Sequence, residues 1–139
     1  MISRVLVPMD DSEMAERALR YALDAHPDAE ITVLHVVGEP SLMMGDATGI
    51  ALADDPQAAA RENASGLLER ADEIAAEYDV EIETVVRIGH PARAVINMTE
   101  GFDAVVIGSH GGSLADRLLV GNIAEKIVRR SAAPVTVVR

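Results

Sequence analysis

The 139 residues of this chain include no cysteine, no tryptophan and a single lysine, Lys126. Without cysteine there is no disulfide, no thiolate nucleophile and no cysteine-ligated zinc. The only aromatic side chains are Tyr21, Tyr78 and Phe102, too few to build a platform for stacking single-stranded bases. No apolar run approaches the length of a membrane span. A strand pattern begins within a few residues of the N-terminus, which leaves no room for a signal peptide. A cytoplasmic location is therefore expected. The sequence also lacks G-x-x-x-x-G-K-[ST], G-x-G-x-x-G and H-E-x-x-H, the signatures of two nucleotide folds and one zinc site.

What is abundant is negative charge. Asp and Glu total 23 against 12 basic residues, a formal net charge of −11, and the basic residues are almost all arginine. Such a surface repels nucleic acid, whose binding is driven by neutralising phosphates. Strong acidity with so little lysine reads as adaptation to high salt, where repulsion is screened within about 3 Å at 1 M. A GC-rich genome that writes arginine for lysine is the other source of this composition. The apolar fraction of 49% is that of a globular chain, not a disordered acidic one. At this length one domain is expected, spanning residues 1–139.

The apolar pattern divides the chain into alternating strands and helices. Residues 3–9 read as a strand and 10–26 as a helix carrying Ala15, Ala18, Leu19, Ala22 and Leu23 at helical spacing. A second strand covers 31–37. Asp55-Pro56 opens a long helix, with Asp as cap and Pro in the first turn, continuing to Tyr78. Strands follow at 80–88 and 103–107, separated by a helix from Pro91 to about 101. A last helix, 122–130, precedes a strand at 135–138. The order β-α-β-α-β-α-β-α-β implies an α/β fold, a parallel sheet with helices on both faces and right-handed crossovers. The irregular stretch 38–54 is long for a connection and reads as a functional flap or a tolerated insertion.

The chemistry concentrates where Ala104-Val105-Val106-Ile107 runs into Gly108-Ser109-His110-Gly111, followed nine residues later by Gly121-Asn122. Glycine lets backbone N–H groups approach a ligand closely. The start of a helix adds unpaired N–H donors and a partial positive charge. Glycines at a strand end and again at a helix start thus suit a phosphate chain. Taken singly, each glycine is better read as a tight turn; the spaced set is not.

The G-x2-G-x9-G spacing followed by a small polar residue resembles the nucleotide-binding signature of the universal stress protein family. The resemblance covers nearly the whole chain. Val5-Leu6-Val7-Pro8-Met9-Asp10-Asp11-Ser12 resembles the family's strand-Pro-x-Asp-x-Ser opening, and Leu34-His35-Val36 its second strand. Gly89-His90-Pro91 resembles its G-x-P turn, and Ala133-Pro134-Val135-Thr136-Val137-Val138 its closing strand. Asn122 departs from the Ser or Thr usual there, yet its amide still offers a donor to a phosphate oxygen.

The resemblance implies an open, doubly wound, five-stranded parallel sheet of order 3-2-1-4-5. Ligands in such sheets bind outside the carboxyl ends of the strands flanking the switch in winding. Carried over residue by residue, the cofactor-binding positions are Pro8, Asp10, Val36, Ile107, Gly108, Gly111, Gly121, Asn122 and Ile123. Asp10 would meet ribose or adenine, although Asp10 and Glu13 also have capping-box spacing and Ser12 is a competing cap. Val36 would meet adenine through its backbone. Gly108 and Gly111 would approach ribose and phosphates, and Gly121 and Asn122 would present N–H groups.

His26, His35, His90 and His110 show no zinc-site spacing. Of these, only His110 is placed to touch a phosphate, the other reading being a solvent-facing loop histidine. Arg117 would offset phosphate charge or pair with Asp116. Ser109 and Ser113 have no evident base partner, so no catalytic residue is assigned.

The implied function is binding of ATP or a related adenine nucleotide (AMP or ADP), with at most slow hydrolysis, in a stress-response or regulatory role. Phosphoryl transfer normally needs cationic clamps, and no lysine lies near the motif. A magnesium ion would accompany the phosphates with most of its waters retained. A homodimer through the C-terminal strand is also implied, and an unidentified protein partner is left open. The rival readings are a dimeric stress adaptor that binds no nucleotide, and a slow ATPase or phosphotransferase.

Overall fold

Val5, Leu6 and Val7 are all fully buried, which means that the strand carrying them is covered on both faces. In the computed structural model, which describes residues 1–38, 54–110 and 121–139, that strand lies at the centre of a five-stranded sheet. The strands are β1 (Arg4–Pro8), β2 (Glu30–Val37), β3 (Glu83–Ile88), β4 (Ala104–Gly108) and β5 (Val135–Val138). Their order is β3-β2-β1-β4-β5, and every pairing is parallel. The expected topology is therefore present. The helices are α1 (Glu13–Ala25), α2 (Pro56–Asn63), α3 (Ser65–Glu77), α4 (Pro91–Met98) and α5 (Asn122–Arg130). The segment 39–53, with the expected flap, lies outside the described residues.

Side chains alternate across a strand, so each strand supplies two cores. On one face Val5, Val7, Ile31, Val33 and Val106 pack under Ala18, Leu19 and Ala22 of α1 and Ala71, Ile74 and Ala75 of α3. On the other, Leu6, Leu34, Val105 and Ile107 pack under Val95 of α4 and Ala124 and Ile127 of α5. A smaller cluster of Ala60, Ala64 and Leu68 covers Val37 and Val86 near the β3 edge.

Three boundaries differ from the sequence pattern. The helix expected from Asp55 to Tyr78 is two helices that meet at Ala64, whose ψ of −1° breaks the regular turn. Asn63, Ser65 and Gly66 surround the break, a run of weak helix formers. Asp55 does cap α2, accepting from the Ala58 N–H at 3.1 Å. The third strand starts at Glu83 instead of Val80. Asp79 takes a left-handed φ of 55°, and the Asp79 and Val80 N–H groups donate back to Ala76 and Ala75. This is a Schellman ending, and it turns Val80 and Ile82 into the α1–α3 core before pairing begins. At α1 the cap is Ser12, whose hydroxyl accepts from the Ala15 N–H at 3.1 Å. The capping-box reading of Asp10 is thereby replaced: Asp10 Oδ1 instead accepts from the Ser12 N–H at 2.9 Å.

Candidate functional site

β1 and β4 are neighbours, but their following helices cover opposite faces of the sheet, so the chain leaves a crevice at their carboxyl ends. The turn after β1 is held from two directions. The Met9 N–H donates to the Leu34 carbonyl at 2.8 Å, and His35 Nδ1 lies 2.8 Å from the Met9 carbonyl oxygen. That carbonyl can only accept, so Nδ1 carries the proton. With its backbone pinned to β2, the turn presents Asp10 at the crevice rim, exposed to solvent.

The opposite wall comes from β4 and α5. Gly108 ends β4 against α1: a Cβ placed there would lie 2.8 Å from Met14 Cγ and 3.1 Å from the Met14 carbonyl oxygen. Close helix packing therefore demands this glycine, whatever it offers a ligand. Gly121 is the N-cap of α5, with ordinary φ of −64° and no side-chain cap on the helix. Its own N–H donates to the Ser109 carbonyl at 2.6 Å. The donors left at the helix start are those of Asn122, Ile123 and Ala124, which have no intrahelical acceptor. Asn122 and Ile123 are exposed and Ala124 is buried.

Between these walls lies a cavity of about 490 Å³, within the range of small-molecule sites. Pro8, Asp10, Val36, Ile107, Gly108, Gly121, Asn122 and Ile123 all line it. Gly111, like Ser113, Asp116 and Arg117, lies outside the described residues. The floor is apolar, built from Leu34, Val95, Ile107 and Ile127, and Pro91 at the start of α4 closes one side. Polar groups are few: the Asp10 carboxylate, the Asn122 amide, Ser12, His35 and His110. No lysine or arginine appears among the described lining residues. Among the described residues no group of three His, Asp or Glu could hold a metal ion.

The sequence pattern did not single out His35, Val95 or Ala15 as lining residues. Val95 was legible as the inward face of α4, but only the fold shows that this face reaches the crevice. His110, read as solvent-facing, is half-buried and lines the cavity. Its place within the glycine loop was the signal.

The profile of the universal stress protein family matches residues 1–139. Universal stress protein YxiE of Bacillus subtilis is 32% identical over 148 aligned positions, with both chains covered completely. Among solved structures, protein MJ0577 of Methanocaldococcus jannaschii superposes with a TM-score of 0.80 at 25% identity, over 99% of this chain and 96% of that one. Two further structures share the fold. A universal stress protein in complex with cAMP has a TM-score of 0.71 at 23% identity, covering 99% of this chain and 97% of its own. A family protein of Arabidopsis thaliana with AMP bound has a TM-score of 0.61 at 16% identity, covering 98% and 90%. With the 3-2-1-4-5 sheet, the crevice at its switch point and a match along its entire length, the chain belongs to the universal stress protein family.

Proposed function

We propose that this protein binds ATP or a related adenine nucleotide in the β1–β4 crevice and acts through a nucleotide-dependent state in a stress-response or regulatory role. The observation that carries the reading is the pairing of an apolar cavity with the uncapped start of α5 at its mouth. A base would rest on Val36, Ile107 and Val95, and a carboxylate at Asp10 would accept from ribose or from an exocyclic amine. The phosphates would lie at Asn122 and Ile123, where free N–H groups and the helix dipole favour negative charge. The cAMP and AMP complexes of the related structures support an adenine ligand.

Hydrolysis is at most slow in this reading. The described lining supplies no cationic clamp and no positioned base of the kind phosphoryl transfer uses. A magnesium ion would travel on the phosphates and keep most of its own waters.

The same reading includes a homodimer formed at β5. Both sheet edges carry outward backbone groups, but the β3 edge is occupied: Gln57 Nε2 donates to the Val86 carbonyl at 2.8 Å. Arg61 reaches the Thr84 hydroxyl at 2.9 Å. No hydrogen bond from a described side chain covers β5, whose Val135, Val137 and Val138 are only half-buried. An open, apolar edge favours recruitment of a second strand.

Two measurements test the nucleotide reading. Protein purified without added ligand is denatured, and the released small molecules are identified by mass spectrometry. Calorimetry then compares ATP binding by the wild type and Gly121→Val, whose side chain would crowd Ser109, His110 and the phosphate position. Loss of affinity in the variant is expected. Equal affinity in both proteins, or none in the wild type, would refute the site.

A further inference from the structure

The two helical layers of this protein carry opposite charge. Helices α1, α2 and α3 together hold eight acidic and four basic residues, whereas α4 and α5 hold one acidic and four basic. The cations of the first layer are committed within the molecule. Arg17 pairs with Glu13, Arg20 with Glu77, and Arg70 with Glu16 and Glu73, while Arg61 bonds Thr84. In the second layer only Arg129 is paired, with Glu125 at 2.9 Å. Arg93, Lys126 and Arg130 are exposed and form no salt bridge with any described residue.

In a chain with 23 carboxylates, three cations of this layer, including the only lysine, thus have no salt-bridge partner among the described residues. Two of the few exposed large apolar side chains, Ile123 and Val128, stand on the same α5. Helices α4 and α5 pack against one another, so these groups share one side of the sheet. We propose that the α4–α5 face is a docking surface for an acidic protein segment bearing apolar side chains. The cations would steer the segment and set its register. Ile123, which shares a helical face with Lys126 and Arg130 at i+3 and i+7, would supply the apolar contact that a solvated ion pair lacks.

A nucleic acid fits this face less well. Three cations on a molecule of net charge −11 neutralise few phosphates. Neither helix carries an aromatic residue for stacking. A second copy of the chain would have to present its own acidic layer, a head-to-tail contact and not the two-fold pairing that is commonest among dimers.

The inference stands whether or not the crevice binds nucleotide. The test uses a dye-labelled synthetic helical peptide with leucine on one face and glutamate on the other, followed by fluorescence anisotropy at 0.1 M and 1 M salt. The wild type should bind, and more weakly at high salt. A triple variant, Arg93→Glu, Lys126→Glu and Arg130→Glu, should bind about tenfold or more weakly. Control reversals on the other layer, Arg17→Glu and Arg61→Glu, should change affinity by less than about twofold. Circular dichroism and thermal melting establish that each variant is folded. Absence of binding by the wild type overturns the proposal, as does an equal loss in the controls. So does tighter binding of a single-stranded oligonucleotide than of the peptide.

Discussion

Gly108 at the end of β4 and Met14 in the first turn of α1 are in such close contact that a β-carbon on the glycine would come within 2.8 Å of Met14 Cγ and 3.1 Å of the Met14 carbonyl oxygen. The side chain could swing aside, but the carbonyl belongs to the helix. At Gly121 the same construction finds its nearest atom, His110 Cα, at 3.4 Å. Gly108→Ala should therefore destabilise the protein by about 1–3 kcal/mol through overpacking, whereas Gly121→Ala should stay within about 0.5 kcal/mol. Urea denaturation of the two variants makes the comparison. Equal stability would mean that α1 adjusts without cost.

Asp103 ties the N-terminal segment to the sheet. Its Oδ2 accepts from the Ser3 N–H at 2.9 Å and the Arg4 N–H at 3.0 Å. These bonds, Ser3 first and Arg4 second, hold its carboxyl below the usual carboxylate range. A group with a depressed folded pKa contributes stability above its unfolded pKa, and that contribution disappears as pH falls through the folded value. The loss therefore belongs below about pH 4, the ordinary aspartate value. Comparing the urea midpoint of wild type and Asp103→Asn against pH isolates it. The difference should be constant near neutrality and shrink on acidification. A difference independent of pH would remove Asp103 from the acid limb.

The two sheet edges should respond oppositely to substitution. Val137→Lys places charge on the open β5 edge and should shift the sedimentation profile of a dimer toward monomer. Replacing Gln57 and Arg61 together with alanine uncovers the Val86 carbonyl that Gln57 occupies and the Thr84 carbonyl and hydroxyl that Arg61 reaches. Uncovered edges pair with other chains, so this double variant should form species larger than the wild type in light scattering. An unchanged mass for both variants would show that neither edge governs association.

Salt should raise stability. Screening weakens the α1–α3 bridges of Arg20 with Glu77 and Arg70 with Glu16, but exposed pairs of this kind contribute only about 0–1 kcal/mol each. Repulsion within a net charge of −11 is spread over the entire surface and is screened at the same time. Thermal unfolding in sodium or potassium chloride should show a melting temperature that climbs from 0.1 M to 1 M, as the Debye length falls from about 10 Å to about 3 Å. A flat or falling curve would favour the GC-rich origin of the arginine bias over adaptation to salt.

The sequence by itself determined the elements that repeat a simple period. Val5-Leu6-Val7 and Ala104-Val105-Val106-Ile107 are apolar at every position, because strands covered on both faces have no solvent side. Ala15, Ala18, Leu19, Ala22 and Leu23 mark one helical face, and all five are buried. The spaced glycines and the Pro8–Asp10 turn were legible as a motif, although what requires glycine at 108 is its contact with Met14 of α1. What only the tertiary structure decided are the choices among equivalent local options. Ser12 and Asp10 could each have capped α1, and the position of the chain leaving β1 gave the cap to Ser12. Val80 has a strand side chain, yet Asp79 turns it into the core below α1 and α3 before β3 pairs. The Gly121 amide points to the Ser109 carbonyl instead of the crevice, and His35 ties β2 to the turn at Met9. Such contacts join residues distant in the chain, so no periodicity records them.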